Sequence, residues 1–337
     1  MKAIGYVQSL PIADARSLFD FEAPEPKIGP RDLLVRVEAI SVNPVDTKVR
    51  MRRQGTEAEP VILGWDAAGV VEAVGPEATL FKPGDAVYYA GSLPRPGTNA
   101  ELHAVDERIV GRKPASLSFA QAAALPLTAI TAWEGLFDRL RLPVGKAGNG
   151  GALLIVGAAG GVGSIAVQLA RRLTAFTVIG TASRPETAQW VRELGAHHVI
   201  DHSKPLSGEL KALGIPEVEA AFALTKTDLH WSEIAAALKP QGAVCVIDDP
   251  GPIDIGLLKQ KAATFCWEFM FARPLFGTPD MAAQHRLLNE VAGLVDEGLL
   301  RTTLGAHFGP ICAENLKRAH AALESGTSIG KVVLEGW

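Results

Sequence analysis

Between an apolar run at 152–156 and an amphipathic stretch at 162–173, the chain reads Gly157-Ala158-Ala159-Gly160-Gly161-Val162-Gly163. A strand that ends in such a turn and opens into a helix brings backbone N–H groups against a pyrophosphate. A side chain there would hold the phosphate off, and the helix N-terminus adds partial positive charge. Ala158 departs from G-x-G-x-x-G, standing where its first glycine would be. A tight turn without a ligand is the plainer alternative, and a glycine motif alone is weak. The strand before it, the helix after it and the alternation that follows favour a nucleotide. About 20 residues on, dinucleotide folds specific for NAD place an acid that holds the ribose 2′-hydroxyl. Here the corresponding stretch carries Ser183 and Arg184 and no carboxylate. A hydroxyl beside a guanidinium suits a 2′-phosphate, so the expected cofactor is NADPH. The competing reading makes Ser183 the N-cap of the next helix and Arg184 a solvated side chain, and the two readings are compatible.

The elements that would position this turn are legible around it. Strand-like runs at 152–156, 176–181, 198–200, 218–224 and 243–247 alternate with helical patterns at 162–173, 186–194 and 231–238. Such alternation predicts parallel βαβ units, hence a doubly wound sheet. The first ~115 residues differ: strand-like runs at 33–40, 69–74 and 85–89 are broken by Pro and Gly, which predicts a mostly β domain. A helix is expected over 120–138, two more near 281–295 and 313–324, and a last strand at 330–334. A β-rich start, a doubly wound middle and a short closing segment predict an α/β protein in which one domain is inserted into another. The boundaries fall at 1–124 with 273–337, and 125–272.

With 337 residues, 47% apolar and 21% charged, the chain can fill two cores. Its formal net charge of −4 leaves no electrostatic footprint for nucleic acid or an anionic membrane. No apolar run reaches a membrane span, and the N-terminus has no signal or transit pattern. Cys245, Cys266 and Cys312 have flanks that read as buried strand or a helix start, and no two are close in sequence, so a reduced, cytoplasmic protein is expected.

Four stretches together carry a family resemblance: Ser41-Val42-Asn43-Pro44-Val45-Asp46-Thr47-Lys48, Gly64-Trp65-Asp66-Ala67-Ala68-Gly69-Val70-Val71, residues 123–132, and the glycine turn. In order and spacing the chain resembles the medium-chain dehydrogenase/reductases, and within them the zinc-free quinone oxidoreductases and enone reductases. The resemblance implies a GroES-like domain made from both chain ends, a Rossmann domain between them, and a homodimer formed through the last Rossmann strand near 265–271. It also allows zinc to be tested by position. Where zinc alcohol dehydrogenases have a ligating Cys, this chain has Asn43; where they have Gly-His-Glu, it has Gly64-Trp65-Asp66. Residues 125–131 offer no Cys, His, Asp or Glu, and no Cys lies between Pro83 and Glu101 to form a structural zinc lobe. A catalytic zinc needs three protein ligands, and the eight histidines are scattered, so neither metal site is expected.

Without a Lewis acid, hydride transfer to a conjugated C=C or a quinone is easier than alcohol oxidation. The substrate is expected to be a small-molecule quinone or α,β-unsaturated carbonyl. The protein then needs a donor for the oxygen that gains charge. By resemblance, Asn43 lies near the nicotinamide and donates its amide to that oxygen. Lys48 stabilises the enolate or holds the cofactor ribose, with a surface role on a short helical turn as the alternative. Thr131 is the hydroxyl facing the nicotinamide, whereas Thr128 can as easily bond its own helix. Lys331 either approaches the cofactor or is solvated. Of two alternative functions, a zinc-dependent alcohol dehydrogenase fails on ligand count, whereas a non-catalytic NADPH-binding protein of crystallin type stays open.

Overall fold

The computed structural model describes residues 1–147 and 150–337. The chain divides into two units, Met1–Ile130 with Phe271–Trp337, and Thr131–Met270. The first unit opens with β1 (Lys2–Tyr6), paired antiparallel with β2 (Phe19–Glu22). Then come the long β3 (Asp32–Val42), the short helix α1 (Pro44–Arg50), β4 (Val61–Ile62), which returns to β1, and β5 (Asp66–Val74). β6 (Ala86–Ala90), β7 (Leu102–Asp106), β8 (Val110–Arg112) and the helices α2 (Phe119–Ala123) and α3 (Pro126–Trp133) follow. Leu33, Val35 and Val37 alternate inward along β3 while Arg36 faces solvent, as a half-buried strand requires.

The second unit is a six-stranded parallel sheet. Along the chain it runs β9 (Ala152–Val156), α4 (Gly161–Leu173), β10 (Thr177–Thr181), α5 (Pro185–Glu193), β11 (His198–Ile200), α6 (Leu206–Ala212), β12 (Val218–Ala223), α7 (Thr227–Ala237), β13 (Leu238–Val246) and β14 (Thr264–Trp267). The spatial order is β11-β10-β9-β12-β13-β14. Every residue of β9 is buried, as in a central strand covered on both faces. On one face Leu154, Val156, Ile179, Val244 and Val246 pack with Trp231 and Ile234 of α7.

The chain then returns to the first unit through α8 (Ala272–Phe276), α9 (Ala283–Asp296), β15 (Leu304–His307), α10 (Ala313–Glu324) and β16 (Lys331–Glu335). β16 inserts antiparallel beside β3, completing a seven-stranded sheet in the order β15-β16-β3-β5-β6-β8, with β7 also on β3. The α/β architecture with a GroES-like β-rich unit and a doubly wound sheet is the one the sequence implies.

Three details differ from the sequence expectation. The helix expected over 120–138 is broken. α2 stops before Pro126, which supplies no N–H and so starts a new helix rather than continuing one, and residues 134–139 then wind as a π turn. Along the chain the unit boundaries fall at 130/131 and 270/271 rather than at 124/125 and 272/273. Residues 124–130 are tied into the first unit by the Thr303 hydroxyl on the Ala124 carbonyl and by Leu127 N–H on Asp66. Finally, the last strand of the doubly wound sheet is only Thr264–Trp267. Phe269 and Phe271 lie beyond it, and Phe271 is buried edge-on against Trp65, with ring centroids 5.9 Å apart.

Candidate functional site

Two constellations are candidates for a functional site, one in each unit. In the first, three adjacent strands bring together residues almost 290 positions apart. Ser41 of β3 pairs with Asp66 of β5, and Val42 pairs with Val332 of β16. Asn43, at the end of β3, therefore stands beside both Asp66 and Lys331. Pro44 at the first helical position of α1 favours the extended backbone seen at Asn43, φ −128° and ψ 159°. The Asp46 carboxylate accepts the Asn43 backbone N–H at 2.8 Å and so caps α1 from within.

The side chains form a closed network. Asn43 Nδ2 donates to Asp66 Oδ2 at 2.8 Å and to the Ser41 carbonyl at 3.4 Å. Lys331 Nζ donates to Asp66 Oδ2 at 2.9 Å, to the Val42 carbonyl at 3.0 Å and to Asn43 Oδ1. Leu127 N–H, at the start of α3, donates to Asp66 Oδ1 at 2.7 Å. Asn43, Asp66 and Lys331 are 1%, 0% and 3% exposed. Lys331's ammonium has three donors and three acceptors, and both hydrogens of the Asn43 amide are in use. Two expectations change as a result. Lys331 is neither solvated nor left with a donor for a cofactor, and Asn43 has no spare N–H for a substrate oxygen. Both hold the scaffold beneath α1. Burial pushes the Asp46 carboxyl up to about 7, against the opposing bond from Asn43 and the charge of Lys331.

Of the other residues in this unit, Lys48 lies half-buried on α1. The Thr128 hydroxyl bonds back to the Leu125 carbonyl at 3.0 Å, the local role foreseen as its alternative. Trp65 is buried. The histidines do not gather. His103 is buried between the Tyr89 hydroxyl and the Pro96 carbonyl, and burial holds its pKa down to about 4. Among the described residues no group of three or more His, Cys, Asp or Glu could hold a metal ion.

In the second unit, Gly157 takes φ +83°, and a Cβ there would sit 2.7 Å from Thr225 Cγ2. A Cβ at Gly163 would meet Ala158 Cα at 2.5 Å. Those two glycines are required by the fold itself. Gly160 is different: a Cβ there would meet nothing nearer than the Gly157 carbonyl at 3.6 Å. The space over Gly160 is open just where α4 begins, and the helix leaves its first N–H groups at 161–163 without intrahelical partners. Ala158 in place of a glycine is accommodated by Gly180 on the neighbouring strand, where a Cβ would come within 2.9 Å of the Ala158 methyl. Ala159, Gly161 and Val162 complete the turn. Thr131, at the start of this unit, is buried.

Thr181, at the end of β10, was not singled out from sequence. Its hydroxyl accepts the Gly157 N–H at 3.0 Å and lies 2.9 Å from His202 Nδ1, while its carbonyl accepts from Ala158 N–H at 3.3 Å. It fixes the turn's shape. A β-branched hydroxyl at the carboxyl end of the strand beside the turn is the signal that could have found it. Two residues on, Ser183 is exposed, and Arg184, not Ser183, is the N-cap of α5, with Thr187 Oγ1 accepting its backbone N–H at 3.2 Å. The Arg184 guanidinium is partly exposed and lies 3.4 Å from Glu186.

Comparison with known proteins places this geometry. The alcohol dehydrogenase GroES-like domain model matches residues 29–127, and the model described as zinc-binding dehydrogenase matches residues 194–334. A zinc-type alcohol dehydrogenase-like protein of Staphylococcus aureus (strain MSSA476) is 42% identical over 99% of both chains. A solved structure from Rhizobium etli CFN 42, named provisionally for a zinc-dependent alcohol dehydrogenase, is 60% identical with a TM-score of 0.96, covering 100% of this chain and 98% of that one. A quinone oxidoreductase of Pseudomonas aeruginosa is 32% identical over 94% of both chains. A 2-methylene-furan-3-one reductase of Solanum lycopersicum is 30% identical over 92% of this chain and 73% of its own.

Proposed function

Because the chain belongs to the medium-chain dehydrogenase/reductase superfamily of oxidoreductases, we propose that it is an NADPH-dependent reductase of quinones or α,β-unsaturated carbonyls that works without zinc. The observation that carries this reading is the buried ammonium of Lys331, bonded to Asn43 and Asp66. Relatives and a family model with zinc in their names make the metal the first thing to test. Asn43 and Asp66 are the positions at which a zinc ligand set would begin, and a divalent cation there would have to displace or face a buried positive charge. Trp65 between them cannot ligate. The residues present do not fit a catalytic zinc.

They do fit NADPH. The open space over Gly160 and the N-terminus of α4 would take the pyrophosphate, and Arg184 with the exposed Ser183 would take the 2′-phosphate, with no carboxylate at the end of β10 to repel it. Bound NADPH supplies hydride. The chain's part is to orient it and to stabilise the oxygen that gains charge. With Asn43 committed to the scaffold, Lys48 on α1 is the residue we assign to that oxygen. A conjugated carbonyl or a quinone can accept hydride without a Lewis acid, which favours these substrates over an alcohol. The quinone and furanone reductases among the relatives support this choice. A cytoplasmic homodimer paired along β14, the edge strand of the parallel sheet, completes the proposal; no helix among the described residues is long and apolar enough to cross a membrane.

The test is NADPH oxidation screened against quinones, enones, aldehydes and alcohols, with metal content measured on the same protein. The expected result is turnover with quinones or enones that survives a chelator, with zinc far below one per chain. Stoichiometric zinc whose removal abolishes turnover would overturn the reading. A bound NADPH that no substrate oxidises would support the non-catalytic alternative.

A further inference from the structure

Two of the three cysteines stand side by side in the parallel sheet. Cys245 of β13 and Cys266 of β14 are register partners, with Val244–Phe265 before them and Val246–Trp267 after. In-register neighbours on adjacent parallel strands project to the same face of the sheet, and their Cα separation falls within the range a disulfide spans. Cys245 is fully buried on the inner strand; Cys266, on the edge strand, is partly exposed. We propose that Cys245 and Cys266 form a peroxide-oxidised dithiol site, in which Cys266 is the attacking sulfur and Cys245 the resolving one.

The surroundings set these roles. The neighbouring Cys245 thiol and the nearby guanidinium groups of Arg139 and Arg141 pull the Cys266 pKa down, against burial. The neighbouring Cys266 and burial push the Cys245 thiol up. Arg139 is held in place by Glu268, 2.9 Å away, just beyond the end of β14. As a neutral thiol Cys266 donates to the Val244 carbonyl at 3.4 Å. Once deprotonated it is stabilised by cationic neighbours, and it belongs to the more exposed residue of the two. Hydrogen peroxide or an organic hydroperoxide supplies the oxidant. The Cys266 thiolate attacks one peroxide oxygen, the O–O bond breaks, and hydroxide or alkoxide leaves, giving a sulfenic acid. The Cys245 sulfur then attacks Cys266 sulfur; its proton and the sulfenic hydroxyl leave as water, and the S–S bond forms. Two thiols are oxidised by two electrons and one peroxide is reduced. If the chain dimerises along β14, edge pairing engages the strand's backbone N–H and C=O groups rather than the face on which the two sulfurs stand. The proposal does not depend on the hydride-transfer reading.

Peroxide treatment of the whole protein, followed by maleimide alkylation in denaturant, tests it. Of three alkylatable thiols, two should be lost and Cys312 retained, with the intact mass falling by two hydrogens. Lys259 and Lys261 separate the two cysteines, so trypsin places them on different peptides, and a reducible link between those peptides is expected. In Cys245→Ala the link should vanish and dimedone should trap a sulfenic acid at Cys266; in Cys266→Ala, Cys245 should stay reduced. Three thiols left equally alkylatable after peroxide, or a link that runs through Cys312, would overturn the proposal. The parent-protein peptide map decides this even if a variant fails to fold.

Discussion

Replacing Lys331 with Met would remove one charge from the centre of the first unit while keeping most of the side chain's volume. Lys331 Nζ lies 2.9 Å from Asp66 Oδ2, and the two side chains are 3% and 0% exposed. Without the ammonium, the carboxylate keeps only Asn43 Nδ2 and Leu127 N–H. Breaking a buried pair from one side costs about 3–5 kcal/mol, mostly the penalty of a buried charge without its partner. For a unit of this size each kcal/mol lowers Tm by about 2–4 °C, so a fall of roughly 6–20 °C is expected by calorimetry. Adding Asp66→Asn removes the stranded charge and keeps an acceptor for Leu127 N–H. The double variant should therefore be clearly more stable than the sum of the two single losses predicts. If Lys331→Met melts within about 2 °C of the parent, or if the double variant is additive, the ammonium is not the buried countercharge and the argument against zinc loses its basis.

Arg184→Ala should weaken NADPH by about one to two decades and leave NADH nearly unchanged, because a charge-assisted phosphate contact contributes roughly 1.5–3 kcal/mol. Fluorescence titration of both cofactors reads this directly, and equal weakening would mean that Arg184 acts through its capping of α5. Lys48→Met should lower kcat for enones by about two decades with a smaller change for quinones and for NADPH affinity; uniform slowing with weak NADPH binding would move Lys48 to the cofactor ribose. Asp46 is raised to about 7 from an ordinary 3.8, so between those values the folded chain holds a proton that the unfolded chain has released. The stability linked to that proton is full below about pH 3.8 and is lost as pH rises through about 7. Asp46→Asn should flatten the urea midpoint across that window, and an unchanged pH slope would contradict the assignment.

Patterns that act locally could be read from the residues. Alternation along β3, the strand–turn–helix at 152–173 and the helix at 313–324 follow from period and from glycine placement, and the structure has them there. What failed depended on contacts distant in sequence. Nothing near Lys331 says that its neighbours will be Asn43 and Asp66, because those contacts exist only once β16 lies beside β3. The likeness of residues 328–332 to a closing family motif points Lys331 to cofactor or solvent, not to this buried pair. Thr181 was overlooked for a related reason: its bonds to Gly157 and Ala158 cross from one strand to the next. The break at Pro126 has a local signal, because a proline cannot continue a helix from the preceding turn. The exposed position of Ser183 and the capping role of Arg184 differ by a single residue, which is the precision at which helix ends are set.

The first unit begins at Met1 and is finished by β16, with the Ser41 hydroxyl bonded to Val332 across 291 positions. During synthesis, which proceeds at about 5–20 residues per second, the parallel sheet of residues 131–270 emerges whole and can form while its neighbour waits. β3 meanwhile lacks its partner β16, and Asp66 lacks its ammonium. Both are supplied by residues 331–335. A chain cut before residue 331 would thus carry an open strand edge on β3 and an uncompensated carboxylate at Asp66. A chaperone or protease that samples that edge would distinguish a chain that has β16 in place from one that does not.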